Sequence, residues 1–371
     1  MLISEILKEK EEWKDEINKM ANEKCPVILF GAGSTSEYNL KYFNKLAISP
    51  IAFCDNSIEK QGTLVSGVPV VSLEEAIKKY PDAYYYITTQ LYYSEIKQQL
   101  IEAGCGSERI SNYDIVFQFP WEKECISYYQ KYAEKLEVFY NRLSDEKSKK
   151  VLKNRLLFLR TRNREYAINI RDGVQYFDEE LIDFNCLKCF VDLGMYTGDT
   201  ILKFLQYSGG RYNIIYGFEP DKNIHKMASD NLENYKNIIC VNKATSDYNG
   251  QINIEQSLGV MQTIESGIYG AEKNERNVFE VCKLDSFFEN MNPQIDMIKI
   301  DIEGAELATL KGASDIIKKN HPIIAVCIYH KQEDIFEIPE YIESLNLPYN
   351  LYLRHYSDNQ TETVCYFLPK L

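Results

Sequence analysis

Histidine and tryptophan are scarce in this chain, at four and two of 371 residues. No stretch approaches the roughly eighteen consecutive apolar residues of a membrane-spanning helix. The N-terminus, MLISEILKEKEEWKDEINKM, is charged throughout and lacks the apolar segment of a secretory leader. Positive charge is in deficit as well. With 42 Lys and Arg against 55 Asp and Glu the net charge is −13, which argues against a nucleic-acid partner, because phosphate neutralisation needs a basic surface. The basic run from Lys147 to Arg155 reads as one solvated face of a helix. The ten cysteines form no paired framework. Cys54, Cys240, Cys327 and Cys365 sit in apolar runs and read as reduced, buried thiols of a cytoplasmic protein. Cys186 and Cys189 make a lone C-x-x-C, without the second pair a zinc site needs.

What is present suffices for two cores. The length suits two domains, and 45% hydrophobic with 26% charged residues is ordinary globular composition. Residues 1–22 suit an amphipathic helix. Strand-like runs PVILF (26–30), ISPIAFCD (48–55), GVPVV (67–71) and AYYYITT (83–89) then alternate with helix-like stretches, the pattern of a parallel sheet covered by helices. From Trp121 to about Asn163 the chain has neither glycine nor proline and reads as a helical connector. A second alternating series follows at 189–194, 213–219, 237–242, 295–301 and 322–330. The runs 349–356 and 363–369 close it as an antiparallel hairpin. We therefore expect an α/β chain with a Rossmann-like nucleotide-fold domain over 1–118, a helical connector over 119–174 and a second α/β domain over 175–371.

The chemistry concentrates in the second series. FVDLGMYTGDT runs a strand into the turn Gly194-Met195-Tyr196-Thr197-Gly198, and the next strand ends in YGFEPD at Glu219. Glycines let a ligand approach the backbone, and an acid at the second strand end can accept both hydroxyls of a ribose. The glycine spacing departs from the G-x-G-x-x-G of dinucleotide sites. Asp192 and Asp199 flank the loop, where they would repel a pyrophosphate but suit an ammonium and a sulfonium. That charge pattern favours S-adenosylmethionine.

The segment from about Gln175 onward resembles the FkbM family of methyltransferases. The resemblance rests on VDLGMYTGDT, GFEPD, KLDSFF (283–288), IDMIKIDIEGAELATLKGA (295–313), IYHKQEDIFEIPEYI (328–342) and LRHYSDNQTETVCY (353–366). It implies a class I methyltransferase sheet and transfer of a methyl from S-adenosylmethionine, usually to an oxygen of a sugar, glycan precursor or other secondary metabolite. It also implies cofactor contacts at Asp192, Gly194, Gly198 and Glu219, with Ser246 and Asp247 where an adenine contact is commonly made, and we expect Tyr196, Thr197, Pro220 and Asp301 at the cofactor as well. Met195-Tyr196 is bulkier than the family's usual Ala-Asn.

Methyl transfer is an in-line displacement, so the protein must place the acceptor behind the methyl, and a hydroxyl acceptor needs a base. In an open α/β sheet such groups lie beyond the carboxyl ends of the strands. Asp301 and Glu303 follow the fourth strand, His330 and Lys331 the fifth, Arg354 and His355 the sixth. Neighbouring strands lie about 4.8 Å apart, so Asp301 and His330 can meet over one site. We expect His330 as general base, Asp301 orienting it or the acceptor, and Lys331 beside them. Glu303, Arg354 and His355 are expected to hold a polyhydroxyl or anionic substrate. The plainer role for Asp301 and Glu303 is to cap the following helix. A divalent ion shared by Asp301, His330 and His355 is conceivable, but the spacings are not diagnostic, so no metal is assigned.

In the front domain Gly31, Gly33 and Ser34 follow a strand and Asp55 ends the next, a nucleotide-binding shape in which Ser36 replaces the third glycine. It is similar to Rossmann-like domains attached to sugar-modifying enzymes, and it could hold a nucleotide-linked acceptor or mediate assembly, including of a homo-oligomer. Two further functions stay open: an NAD- or nucleotide-sugar-dependent enzyme centred on Asp55, and a non-catalytic binding partner.

Overall fold

The computed structural model describes residues 2–22, 26–89, 92–117, 119–253 and 278–370. The chain divides into two compact units. The first comprises Met1–Gln130, Lys153–Arg171 and Ser357–Gln360, and the second Lys131–Leu152, Asp172–Tyr356 and Thr361–Leu371. The helical connector is thus shared out, its middle going to the second unit. No helix among the described residues is long and apolar enough to cross a membrane.

The first unit is built on strands β1 (Val27–Phe30), β2 (Ala52–Cys54), β3 (Leu64–Val65), β4 (Val68–Val71) and β5 (Tyr84–Ile87), in the order β3-β4-β2-β1-β5. β1 pairs in parallel with both β2 and β5. Alternate side chains leave opposite faces of a strand, and here both faces are covered. Ile28, Phe30, Tyr85 and Ile87 pack with Ile96 and Leu100 on one side, while Val27, Leu29, Tyr84 and Tyr86 pack with Leu40 and Phe43 on the other. That double burial is why the strands read as unbroken apolar runs. The expected N-terminal helix is two helices, Leu2–Ile6 and Glu12–Asn22. Lys8 to Glu12 carries no apolar side chain, so nothing there fastens a continuous helix to a core.

The second unit holds a seven-stranded sheet of β6 (Cys189–Leu193), β7 (Ile214–Phe218), β8 (Ile238–Val241), β12 (Met297–Ile300), β13 (Ile323–Cys327), β14 (Tyr349–His355) and β15 (Thr363–Pro369). Its order is β14-β15-β13-β12-β6-β7-β8. All neighbours from β13 to β8 are parallel, and β15 is antiparallel to both β13 and β14. This is the class I methyltransferase sheet. The chain order reverses at β6, whose neighbours are β7 and β12, and a crevice for ligands opens at such a switch point. One feature was not foreseen: β9 (Ala244–Thr245), β10 (Gly250–Asn253) and β11 (Val278–Cys282) form a separate small sheet.

Candidate active site

The site starts where β6 runs out. Gly194 has φ +79°, and a Cβ there would collide with the carbonyl oxygen of Asp301, so the loop lies flat against the end of β12. Met195 is buried and fills the space over Gly217 of β7, where a Cβ would meet its sulfur. The bulky methionine is therefore matched by a glycine on the neighbouring strand. Tyr196 turns the other way, half exposed and with φ +47°. Gly198 begins the helix Asp199–Tyr207, and the Thr197 carbonyl accepts a hydrogen bond from Asn231 at 2.9 Å.

Asp192 is wholly buried, and its partner is Lys299 of β12, 3.0 Å away. Burial lifts the Asp192 carboxyl to about 6 against the pull of that lysine. Burial pulls Lys299 the other way, but the charges of Asp192 and Asp301 win and hold it protonated. Its ammonium also donates to the Gly194 carbonyl at 2.6 Å. Asp192, expected from the sequence as a direct cofactor contact, is linked to the glycine loop through Lys299. A solitary lysine inside the apolar strand MIKI was the available signal for Lys299.

Glu219 follows β7 and is nearly buried, with Oε1 accepting the backbone N–H of Asp221 at 2.9 Å. Burial raises its carboxyl to about 7. The carbonyls of Glu219 and Pro220 both accept from Asn242 at 2.9 Å, tying this corner to the end of β8. Beyond β9, Ser246 is partly buried, with its N–H on the Cys282 carbonyl, and Asp247 is exposed.

Asp301, just past β12, and His330, three residues past β13, meet as expected. His330 Nε2 lies 3.6 Å from Asp301 Oδ1 and 3.4 Å from Glu303 Oε2, and Nδ1 lies 2.9 Å from Glu306 Oε1. Burial alone would lower the imidazole's pKa, but Glu306, then Glu303 and Asp301, raise it to about 10. The surrounding carboxylates thus favour the imidazolium form, which does not suit the general-base role expected of His330 from the sequence. Asp301 stays below the usual carboxylate range. Burial opposes this, but Lys299, His330 and a 2.7 Å hydrogen bond from the Tyr176 hydroxyl outweigh it.

Two further residues complete this corner, and neither was expected. Tyr176, at φ +68°, lies under the Lys299 ammonium, 5.4 Å from its ring centroid, and its hydroxyl also accepts from Gln175 at 2.9 Å. Glu306 accepts the N–H groups of Ile302 and Gly304 at 3.1 and 3.2 Å, so this residue, and not Asp301 or Glu303, closes the turn before helix Glu306–Lys311. Within that turn Glu303 has φ +59°, an uncommon conformation for a residue other than glycine and one often found at functional sites. Lys331 donates its N–H to Asp334 at 2.9 Å and lays its side chain over Gly304.

Arg354 and His355 are corrections. The Arg354 guanidinium is 3% exposed and bonded to Asp178 at 2.7 Å and Asp145 at 2.9 Å, so its charge is spent inside the unit. His355 is buried, with Nδ1 2.9 Å from Thr363 Oγ1. Both lie on β14, the outermost strand, whose inward polar groups must be satisfied in place.

In the first unit Gly31 packs against Thr88, while Gly33 and Ser34 are exposed. Asp55 accepts the N–H of Ala32 at 2.7 Å, that of Ser57 at 2.8 Å and the Lys60 ammonium at 3.2 Å. Burial opposes ionisation, yet these bonds hold Asp55 below its ordinary pKa. Both of its oxygens are thus committed to the loops that a ribose would have to displace.

Residues 192–350 match the methyltransferase FkbM domain family, and residues 22–111 match the family described as C2185-like, N-terminal. Among solved structures, the chain resembles the methyltransferase FkbM from Methylobacillus flagellatus KT at 19% identity and a TM-score of 0.71, over 96% of this chain and 93% of that one. An rRNA methylase from Streptococcus thermophilus matches at 16% identity and a TM-score of 0.32, over 52% of this chain and 90% of that one. No curated protein sequence matches the chain.

Proposed function

We propose that the methyltransferase FkbM domain carried by residues 192–350 uses S-adenosylmethionine to methylate an oxygen of a sugar, glycan precursor or other secondary metabolite. The observation that carries the cofactor assignment is Glu219. A nearly buried carboxylate, raised to about 7 and set beside a loop of left-handed backbone, fits an acceptor awaiting ribose hydroxyls. Gly194, Tyr196, Thr197, Gly198, Glu219 and Pro220 would hold the cofactor, with Ser246 and Asp247 toward its base. S-adenosylmethionine supplies an electrophilic methyl on a sulfonium.

The chain's own task is then to orient the acceptor and take its proton. Asp301 is the group suited to this, because Lys299, His330 and Tyr176 keep it ionised while it stays partly open. The hydroxyl's proton passes to Asp301 as its oxygen takes the methyl, and then to water. His330, cationic, fixes Asp301 and screens the charge that develops on the oxygen. Calorimetric titration with S-adenosylmethionine tests the cofactor assignment. Wild type should bind and Glu219→Ala should lose binding at least tenfold; equal affinity in the two proteins would refute it.

A further inference from the structure

We infer that Asp301, Glu306 and His330 form a binding site for a divalent cation at the acceptor end of the crevice. Each of the three offers one ligand atom, and these atoms all lie within 4.8 Å of one another. Two carboxylates and an imidazole are the donor set of Mn²⁺- and Zn²⁺-type sites, and the ion would take the place of the proton that His330 otherwise carries, releasing it to water. His355, suggested by the sequence, is not part of this set, and Glu306 takes its place.

Glu306 supplies an independent observation. Its residue is fully buried, and Oε2 makes no hydrogen bond among the described residues, although Oε1 serves two backbone N–H groups. A buried carboxylate oxygen without a partner carries a desolvation cost that a cation would relieve.

Charge balance points the same way. Asp301, Glu303, Glu306 and Asp334 all act on His330, and Asp334 is itself 3% exposed. Of the nearby lysines, Lys299 is paired with Asp192, and Lys331 lies over Gly304. Burial raises Asp334 to about 8 and so keeps it largely protonated, which leaves Asp301, Glu303 and Glu306 as three carboxylates around one imidazole.

The site is also open on one side. The side chains of Asp301 and Glu303 are 24% and 37% exposed, whereas those of Glu306 and His330 are 0% and 3%. Protein ligands on one side and an open face on the other is the arrangement of metal sites that keep positions for water or substrate. Resting on the methyltransferase reading, this cation would bind an acceptor hydroxyl, lower its pKa and so favour loss of its proton to Asp301 or water as the methyl–sulfur bond breaks.

The test uses the full chain, stripped with chelator and dialysed, and counts bound Mn²⁺ by electron paramagnetic resonance. One Mn²⁺ per chain is expected, with affinity reduced tenfold or more in Asp301→Asn and in His330→Ala, each checked for folding by circular dichroism. Should either variant fail to fold, Glu306→Gln, which removes a ligand charge but keeps the side chain's shape, serves in its stead. No stoichiometric Mn²⁺ on wild type, or equal affinity in folded variants, overturns the site. S-adenosylmethionine binding is measured on the same samples. Cofactor binding without Mn²⁺ binding sinks the cation and spares the methyltransferase reading; Mn²⁺ binding without cofactor binding does the reverse.

Discussion

Lys299 and Asp192 stand directly opposite one another on adjacent parallel strands and form a buried ion pair of 3.0 Å. The pair sits at the reversal point of the sheet, immediately under the glycine loop. Removing one member leaves the other charged and unpaired in the core. Lys299→Met should therefore destabilise the second unit by about 3–5 kcal/mol in urea denaturation, and the double variant Lys299→Met/Asp192→Leu should recover part of the loss. Equal stability of the single variant and wild type would show that the pair contributes nothing.

Glu219 gives a pH dependence with a definite sign. With its carboxyl raised to about 7, the ionised form proposed to accept ribose hydroxyls predominates above that pH, and protons would compete with the ligand below it. S-adenosylmethionine affinity should fall by up to roughly tenfold per pH unit below 7 and level off above 8. In Glu219→Gln this slope should vanish. A flat profile for wild type between pH 5.5 and 8 would contradict the assignment.

His330 titrates in the opposite sense. Its folded pKa of about 10 exceeds the ordinary 6.5, so its stabilising contribution is complete below about 6.5 and is lost as pH rises toward 10. Nuclear magnetic resonance of ring-labelled, metal-free protein should show one of the four histidines still protonated at pH 8. Glu306→Gln should bring that titration down. Four histidines all deprotonated by pH 8 would count against the carboxylate cage.

Gly217 and Met195 should behave as a complementary pair. Gly217→Ala puts a methyl into the Met195 sulfur and should cost about 1–3 kcal/mol. Adding Met195→Ala should restore part of that stability, because it removes the obstructing side chain. Thermal denaturation of the two variants decides it, and strict additivity would deny the contact.

Most strands of the two larger sheets and the glycine turn were legible because they are short apolar runs with polar residues at their ends. Asp301 and His330 could be brought together for the same reason, by counting strands. Lys299 was missed because pattern reading treats a lysine within MIKI as an interruption, not as half of an ion pair with the neighbouring strand. Tyr176 lies 125 positions before the Asp301 it touches, and no local period links them. Arg354 and His355 misled for the converse reason. A strand end locates a residue along the sheet, but says nothing about whether a partner such as Asp178 or Thr363 already claims its side chain.

The wall that Tyr176 supplies changes where the working part of this protein begins. The family domain starts at Asp192, inside β6, yet the hydroxyl on Asp301 comes from residue 176 and the carboxylate on Arg354 from residue 145. Anyone transplanting this chemistry into another protein would have to carry residues 131–152 and everything from 172 onward. A graft cut at the family boundaries would keep Lys299 and His330 but lose Tyr176, Asp145 and the strand β15.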